Sequence, residues 1–358
     1  MRVIGLMSGT SLDGVDAALL ETDGETILAP GRAASFPYPD TLRRDLRSLL
    51  DRATRIDADD ADLLAVEREL TLRHAEAVRA LGEDADAVGF HGQTILHRPG
   101  DGRTWQIGDA ALLARETGLP VVHDFRGADV ASGGQGAPFA PAYHAALAAG
   151  MVRPLVVLNI GGVANVTFVG ADGALLAWDT GPGNALLDDF CARHTGEAMD
   201  RDGRLASAGT PHAPTLARLM EHPYFRRQPP KSLDRLDFPH AAAAVEGLAV
   251  ADGAATLVAF TARSALLGPW PAMPRRVLVT GGGRHNPAIM AALREVAPCD
   301  VMPVEAVGWR GDMLEAECFA YLAVRSLRGM PLSFPGTTGV PVPVTGGRVA
   351  HPEAGEPG

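Results

Sequence analysis

Four glycine-rich turns stand where the sequence reads as the end of a strand: Gly9-Thr10-Ser11-Leu12-Asp13-Gly14, Gly161-Gly162, Gly181-Pro182-Gly183 and Gly281-Gly282-Gly283. Glycine lets backbone approach a ligand closely, and successive N–H groups in such turns form nests for anions. The first turn has glycines at the spacing of a phosphate-binding P-loop, yet Val15 and Asp16 follow Gly14 where that motif places its lysine. Its flanks, "RVIGLM" and "VDAALLET", both read as strands, so the turn is the tip of a β-hairpin and not the entry to a helix. Any one of these segments also satisfies the requirements of a plain tight turn. Four of them, alternating with helices, point to a nucleotide cleft.

Among the carboxylates, Asp179 ends a strand beside "TGPGN", where loops at the mouth of a sheet hold ligands, although an aspartate that only caps the turn fits the same spacing. Asp13 and Asp16 sit in the presumed phosphate loop, where negative charge suits Mg²⁺ held partly through water; for Asp16 a hairpin face is the plainer reading. Arg126 and Asp129 in "DFRGAD" offer either a fork for a polar substrate or an ion pair within their loop. His91 and His97 have no acidic or thiol partner in register, which argues against a metal there.

The elements that must position these residues follow an α/β pattern. Helices are predicted at 40–51, about 59–81, from about Ala185 with Asn184 as N-cap, and at about 311–328; a further helical run spans "AAAAVEGLAVADGAATLVAFTARSALLG". Val277–Thr280 reads as a strand, followed by the triple-glycine turn and a helix capped by Asn286-Pro287. "PLVVLNIGGVANVTFVG" repeats the strand, glycine turn and strand of the N-terminus, as a duplicated fold would. The Gly/Pro-rich "SGGQGAP" (132–138) marks a crossover between domains, while 196–240 reads as irregular.

With 358 residues the chain is long enough for two domains and a cleft between them. A net charge of −11 with no basic block argues against a duplex nucleic-acid binder. No run of roughly 18 apolar residues spans a bilayer and no secretory signal precedes the first strand. Three scattered cysteines, Cys191, Cys299 and Cys318, suit a reducing cytoplasm and read as inert thiols.

Seven segments, in order from Ile4 to about Thr345, resemble the anhydro-N-acetylmuramic acid kinase family of the actin/hexokinase/Hsp70 superfamily: "GLMSGTSLDGVDAALLE", "GFHGQTILHRP", "DFRGADVASGGQGAPFAPAYHAAL", "LNIGGVANVT", "WDTGPGNALLDD", "VTGGGRHNPAIM" and "LEAECFAYLA…PLSFPGTTG". The resemblance implies two related α/β, actin/hexokinase-like (ribonuclease H-like) domains flanking an ATP and sugar cleft. They would comprise residues 1–135 with about 315–358, and 136–314. It implies Mg-ATP, a 1,6-anhydro-N-acetylmuramic acid substrate, no nucleic-acid or membrane partner, and a homodimer.

By the same resemblance Asp179 would activate water against the anomeric carbon, with Glu315 a second carboxylate near it. Gly9, Thr10, Ser11, Leu12, Asp13, Gly14, Val15 and Asp16 would form the ATP phosphate loop, with Asp13 meeting Mg²⁺ through water. Gly161-Gly162 would be a second phosphate hairpin, and Gly281-Gly282-Gly283 with Asn286 the turn near adenosine. His91, Gly92, Gln93, Thr94 and Arg126 would line the sugar pocket. The chain departs from the family pattern in "PPKSLDRLDFPH", where a Lys-Ser-Thr-Gly-Arg-Glu stretch is usual: Lys231 and Ser232 remain, but Leu233, Asp234 and Leu236 replace the threonine, glycine and glutamate. A kinase of an ordinary hexose hydroxyl, and a non-catalytic ATP switch, are the other readings of this fold.

Overall fold

The N-terminal strand β1 (Arg2–Ser8) is buried at almost every position, as a central strand covered on both faces must be. A computed structural model, describing residues 1–9, 11–233 and 237–352, places it at the centre of the sheet of one compact unit, Met1–Ala149 with Met313–Gly358. Thr10 of the first turn, with Asp234 and Leu236 of the divergent loop, lies outside the described residues. β2 (Gly14–Thr22) and β3 (Ile27–Pro37) continue from β1 as an antiparallel meander. After two helices, Asp40–Arg52 and Ala61–Leu81, β4 (Ala87–Arg98) returns parallel to β1. β5 (Arg103–Ile107) pairs back on β4, and β6 (Val121–His123) lies parallel on its other edge, followed by the antiparallel strand Arg348–Ala350.

The second unit, Gly150–Asp312, repeats this plan. β7 (Leu155–Ile160), β8 (Val163–Val169) and β9 (Leu175–Pro182) form the meander, and β10 (Arg276–Thr280) and β11 (Asp300–Pro303) extend it in parallel from β7. The sheet orders β6-β4-β1-β2-β3 and β11-β10-β7-β8-β9 match in position and direction. The fold is therefore α/β with two related, ribonuclease H-like units, each bearing a glycine turn between its first two strands.

The helix Leu314–Leu327 covers β1, β2 and β4 of the first unit. It comes so near that a Cβ on Gly5 or Gly89 would collide with its backbone at Ala316 or Phe319. That close approach explains two glycines inside central strands, where the residue otherwise weakens pairing.

Several elements differ from the sequence reading. The second division of the chain, at 312/313, lies close to the expected 315, while the first falls at 149/150 and not at 135/136, because the helix Ala140–Leu147 belongs with the first unit. There Tyr143 donates its hydroxyl to Glu317 Oε2 at 2.7 Å. The 132–138 loop likewise bonds within its own unit, through Gln135 N to Thr338 O and Gly136 N to Asp129 Oδ1. The long helical run breaks into Pro239–Val245 and Val250–Leu266 around Gly247, whose φ of +92° no helix accepts. β3 was hidden because Pro30 and Gly31 interrupt its pattern; as an edge strand it tolerates both. The region 196–240 contains the short helices Arg204–Ser207 and Ala213–Met220.

Candidate active site

Asp179 lies within β9 opposite Asn165, and β9 is the edge of its sheet, so its outer backbone groups are open to partners beyond the ladder. The segment 231–233 takes that place. Asp179 N donates to Lys231 O at 3.0 Å, and Leu233 N donates to the Asp179 carboxylate at 2.7 Å. Tyr224 donates its hydroxyl to the Asp179 carbonyl at 2.5 Å. Lys231, buried, donates to the Tyr224 carbonyl at 3.3 Å and stands 4.5 Å from its ring centre. Burial pushes the Asp179 carboxyl up to about 6, with the Leu233 N–H opposing the shift. A carboxylate so placed is a usable general base at neutral pH.

These contacts bear on one position of the divergent loop, Leu233. Leu233 serves Asp179 through its backbone N–H, which any residue but proline supplies, so the change at that position leaves the bond in place. Tyr224, Lys231 and Leu233 were not singled out for Asp179 from the sequence. They are some 45 to 54 positions away from it, and no local pattern marks a segment that docks on a sheet edge.

The three glycine turns of this unit gather at the end of β7. β9 does not stop at Asp179 but runs to Pro182, since Gly181 and Pro182 keep pairing with Ala164 and Val163. Gly183 N then donates to Gly162 O at 3.0 Å and Asn184 N to Gly161 O at 2.7 Å. Asn184 takes the N-cap position expected of it, its carbonyl accepting from Asp188 N at 2.9 Å, but its side chain makes no cap bond: Nδ2 donates to Ile160 O at 3.3 Å, and it flanks Gly282 and Gly283. Gly281 has φ +74°, and a Cβ there or on Gly283 would strike Asn159 or Ile160. A Cβ on Gly161 or Gly162 would meet only ordinary contacts, at 3.7 Å from Val163 O and the Ala185 Cβ. Asn286 is committed as an N-cap: its Oδ1 accepts from Ala288 N and Ile289 N, and its Nδ2 donates to Asp200 O.

In the first unit the loop after β1 turns at Leu12, whose φ of +59° is held by a buried side chain, with its N–H on Gly9 O at 3.1 Å. Ser11 and Asp13 are exposed and Val15 is buried; the Asp13 carboxylate is 3.5 Å from Arg43. Gly14 lies so close to Phe36 O that a Cβ would not fit. Asp16 lies in β2 and accepts from the Ser35 hydroxyl. At the base of the loop Ser8 donates to Gln93 Oε1 at 2.5 Å and accepts from the Tyr38 hydroxyl at 2.9 Å, joining β1 to β4.

His91 and Arg126 meet directly. His91 Nδ1–H donates to Gly92 O at 2.8 Å, so Nε2 is free to accept from Arg126 Nε at 3.0 Å. The ring is therefore neutral, and burial together with the Arg126 charge holds its pKa well below the ordinary value. Arg126 Nη1 donates to Gly136 O at 2.6 Å. Glu315, in the first turn of its helix, is reached by solvent yet hemmed in enough that desolvation raises its carboxyl, Asp16 adding to the rise and Arg126 opposing it.

The other sequence-selected residues of this unit go elsewhere: Gln93 joins Ser8, Thr94 accepts from Gln106 at 3.2 Å, and Gly92 at φ +72° packs on Ile107 O. Asp129 serves Gly136 N and the Thr338 hydroxyl, anchoring its loop. Among the described residues no group of three or more histidine, cysteine or acidic side chains is placed to hold a metal, and no helix is long and apolar enough to cross a membrane.

The family model described as "Anhydro-N-acetylmuramic acid kinase" matches residues 1–351. A protein of that name from Acidiphilium cryptum (strain JF-5) is 62% identical over 353 residues, covering 98% of this chain and 99% of its own. Another, from Paramagnetospirillum magneticum (strain ATCC 700264 / AMB-1), is 56% identical over 359 residues, with 97% and 99% covered.

Proposed function

Because the chain belongs to the anhydro-N-acetylmuramic acid kinase family, we propose that it is an ATP-dependent carbohydrate kinase that opens 1,6-anhydro-N-acetylmuramic acid with water and phosphorylates O6, giving N-acetylmuramic acid 6-phosphate and ADP. The observation that carries this reading is Asp179, a carboxyl pushed up to about 6 and held by the Leu233 N–H. An anhydro sugar has no free 6-hydroxyl until its internal glycosidic bond breaks, so the base must act on water and not on the acceptor hydroxyl. Asp179 takes a proton from the water as its oxygen bonds the anomeric carbon; the C1–O6 bond breaks, and O6 takes the γ-phosphoryl group.

Glu315 flanks the anomeric centre, and Arg126, anchored by Gly136 and His91, presents its remaining donors to sugar oxygens or a carboxylate. The glycine turns at 9–14, 161–162 and 281–283 supply amides to the nucleotide. Mg²⁺ keeps most of its waters and needs only one or two carboxylates besides phosphate oxygens, a demand that exposed Asp13 meets, with Asp16 near by. Its chemistry would be to neutralise charge on the transferred phosphoryl group. The same reading places the enzyme in the cytoplasm, as a homodimer, in peptidoglycan recycling.

The test is incubation with Mg-ATP and 1,6-anhydro-N-acetylmuramic acid in H₂¹⁸O. The expected product is a 6-phosphate labelled at the anomeric oxygen. Phosphorylation of free N-acetylmuramic acid or glucose with no reaction of the anhydro sugar would overturn the reading.

A further inference from the structure

Arg284 follows Gly283 in the last glycine turn, and its side chain is only 2% exposed although it bears a full charge. Three acceptors surround it. Its Nη1 donates to Gly281 O at 2.9 Å, its Nε to Glu305 Oε1 at 2.8 Å and its Nη2 to Asp312 Oδ1 at 2.7 Å. The first acceptor is in the turn itself, whereas the other two are the ends of the segment 305–312. Gly311 lies against the guanidinium so closely that a Cβ would collide with it, and Thr280, at the end of β10, donates to Gly311 O at 3.4 Å.

The two carboxylates are themselves 46% and 68% exposed, so they reach inward to a charge buried beneath them. A planar fork with donors in fixed directions fits this arrangement, and a compact ammonium does not. Burial would raise the Asp312 carboxyl, but the hydrogen bond and charge of Arg284, joined by His285, bring it below its ordinary value. Met313, the next residue, begins the return of the chain to the first unit, two residues before Glu315.

We propose that Arg284 is a positioning residue that makes the Gly281–Gly283 turn and the 305–312 segment one body, and thereby sets the affinity of that turn for the nucleotide. This rests on the nucleotide reading of the turn given above. The bond to Gly281 O ties down a glycine at φ +74°, where a Cβ would collide with Asn159 and Ile160. The bonds to Glu305 and Asp312 then fix the arginine from the far side.

The experiment compares Arg284→Met, Arg284→Lys and Asp312→Asn with the parent enzyme. KM is measured for ATP and for the anhydro sugar, with equilibrium binding of a non-hydrolysable ATP analogue. Arg284→Met should raise KM for ATP and the analogue Kd by about tenfold or more while the sugar KM stays within about twofold, a split that general loosening would not produce. Arg284→Lys should not rescue, since one ammonium cannot serve three divergent acceptors. Asp312→Asn, a surface change that keeps the arginine, should weaken the analogue by about threefold to tenfold, and it carries the test should Arg284→Met not fold. Unchanged analogue affinity in Asp312→Asn, or full rescue by lysine, overturns the inference. No binding of the analogue by the parent enzyme would instead overturn the nucleotide reading of the turn.

Discussion

At the scale of single residues, the proposed role requires Asp179 to be ionised in order to accept a proton, and a carboxyl near 6 is half protonated at that pH. The rate should therefore have an acid limb: kcat/KM falls about tenfold per pH unit below 6 and is level above it. A pH–rate profile flat to pH 5 would contradict the role. Asp179→Asn should cost about 10² to 10⁴ in turnover and leave ATP binding intact. The same residue should weaken the fold. Its folded pKa, about 6, lies above the ordinary 3.8, so protonation favours the native state and stability is lost as pH rises from about 4 through 6. At pH 7 the Asn variant should resist urea better than its parent by about 1–3 kcal/mol, and at pH 4 the two should unfold together. Equal stability at both pH values would mean the carboxyl is not desolvated.

At the scale of elements, the carboxylate depends on the 231–233 segment lying along the open edge of β9. Lys231→Met removes the amine that joins this segment to Tyr224. The Leu233 N–H bond, which lowers the Asp179 carboxyl, should loosen with it. Losing a bond of about 1 kcal/mol moves a pKa by somewhat under one unit. The acid limb should thus shift upward by about 0.5–1 pH unit with a severalfold fall in kcat, and Tyr224→Phe should act in the same direction. A lower kcat with an unmoved limb would show that the segment matters for something other than the base.

At the scale of the whole molecule, one strand order is used twice, and in each unit a glycine turn joins the first two strands. If the turns hold nucleotide, Mg-ATP at a hundredfold its dissociation constant should raise the unfolding free energy by about 2.7 kcal/mol. The readout is an upward shift of the thermal transition, and a melt indifferent to Mg-ATP would contradict the assignment.

The duplication was legible in the sequence because the two hairpins repeat an apolar run, a glycine tip and a second apolar run, a signal carried by adjacent residues. The strand–turn–helix around Gly281–Gly283 and Pro287 was legible for the same reason. β3, with proline and glycine in an exposed edge, left no such period. Residue types and short spacings by themselves determined that the chain is a two-unit α/β protein with glycine turns after its strands, that Asp179 sits beside such a turn, and which family it resembles. Tertiary structure alone decided that the side chain of Asn184, at the N-cap of its helix, bonds Ile160 O and not its own first turn, that His91 accepts from Arg126, and that Leu233 and Tyr224 hold Asp179. The reason is physical: a hairpin or a cap forms between neighbours in the chain, whereas burial of a carboxyl and its bond to an amide 54 residues away exist only once a segment has closed on a sheet edge.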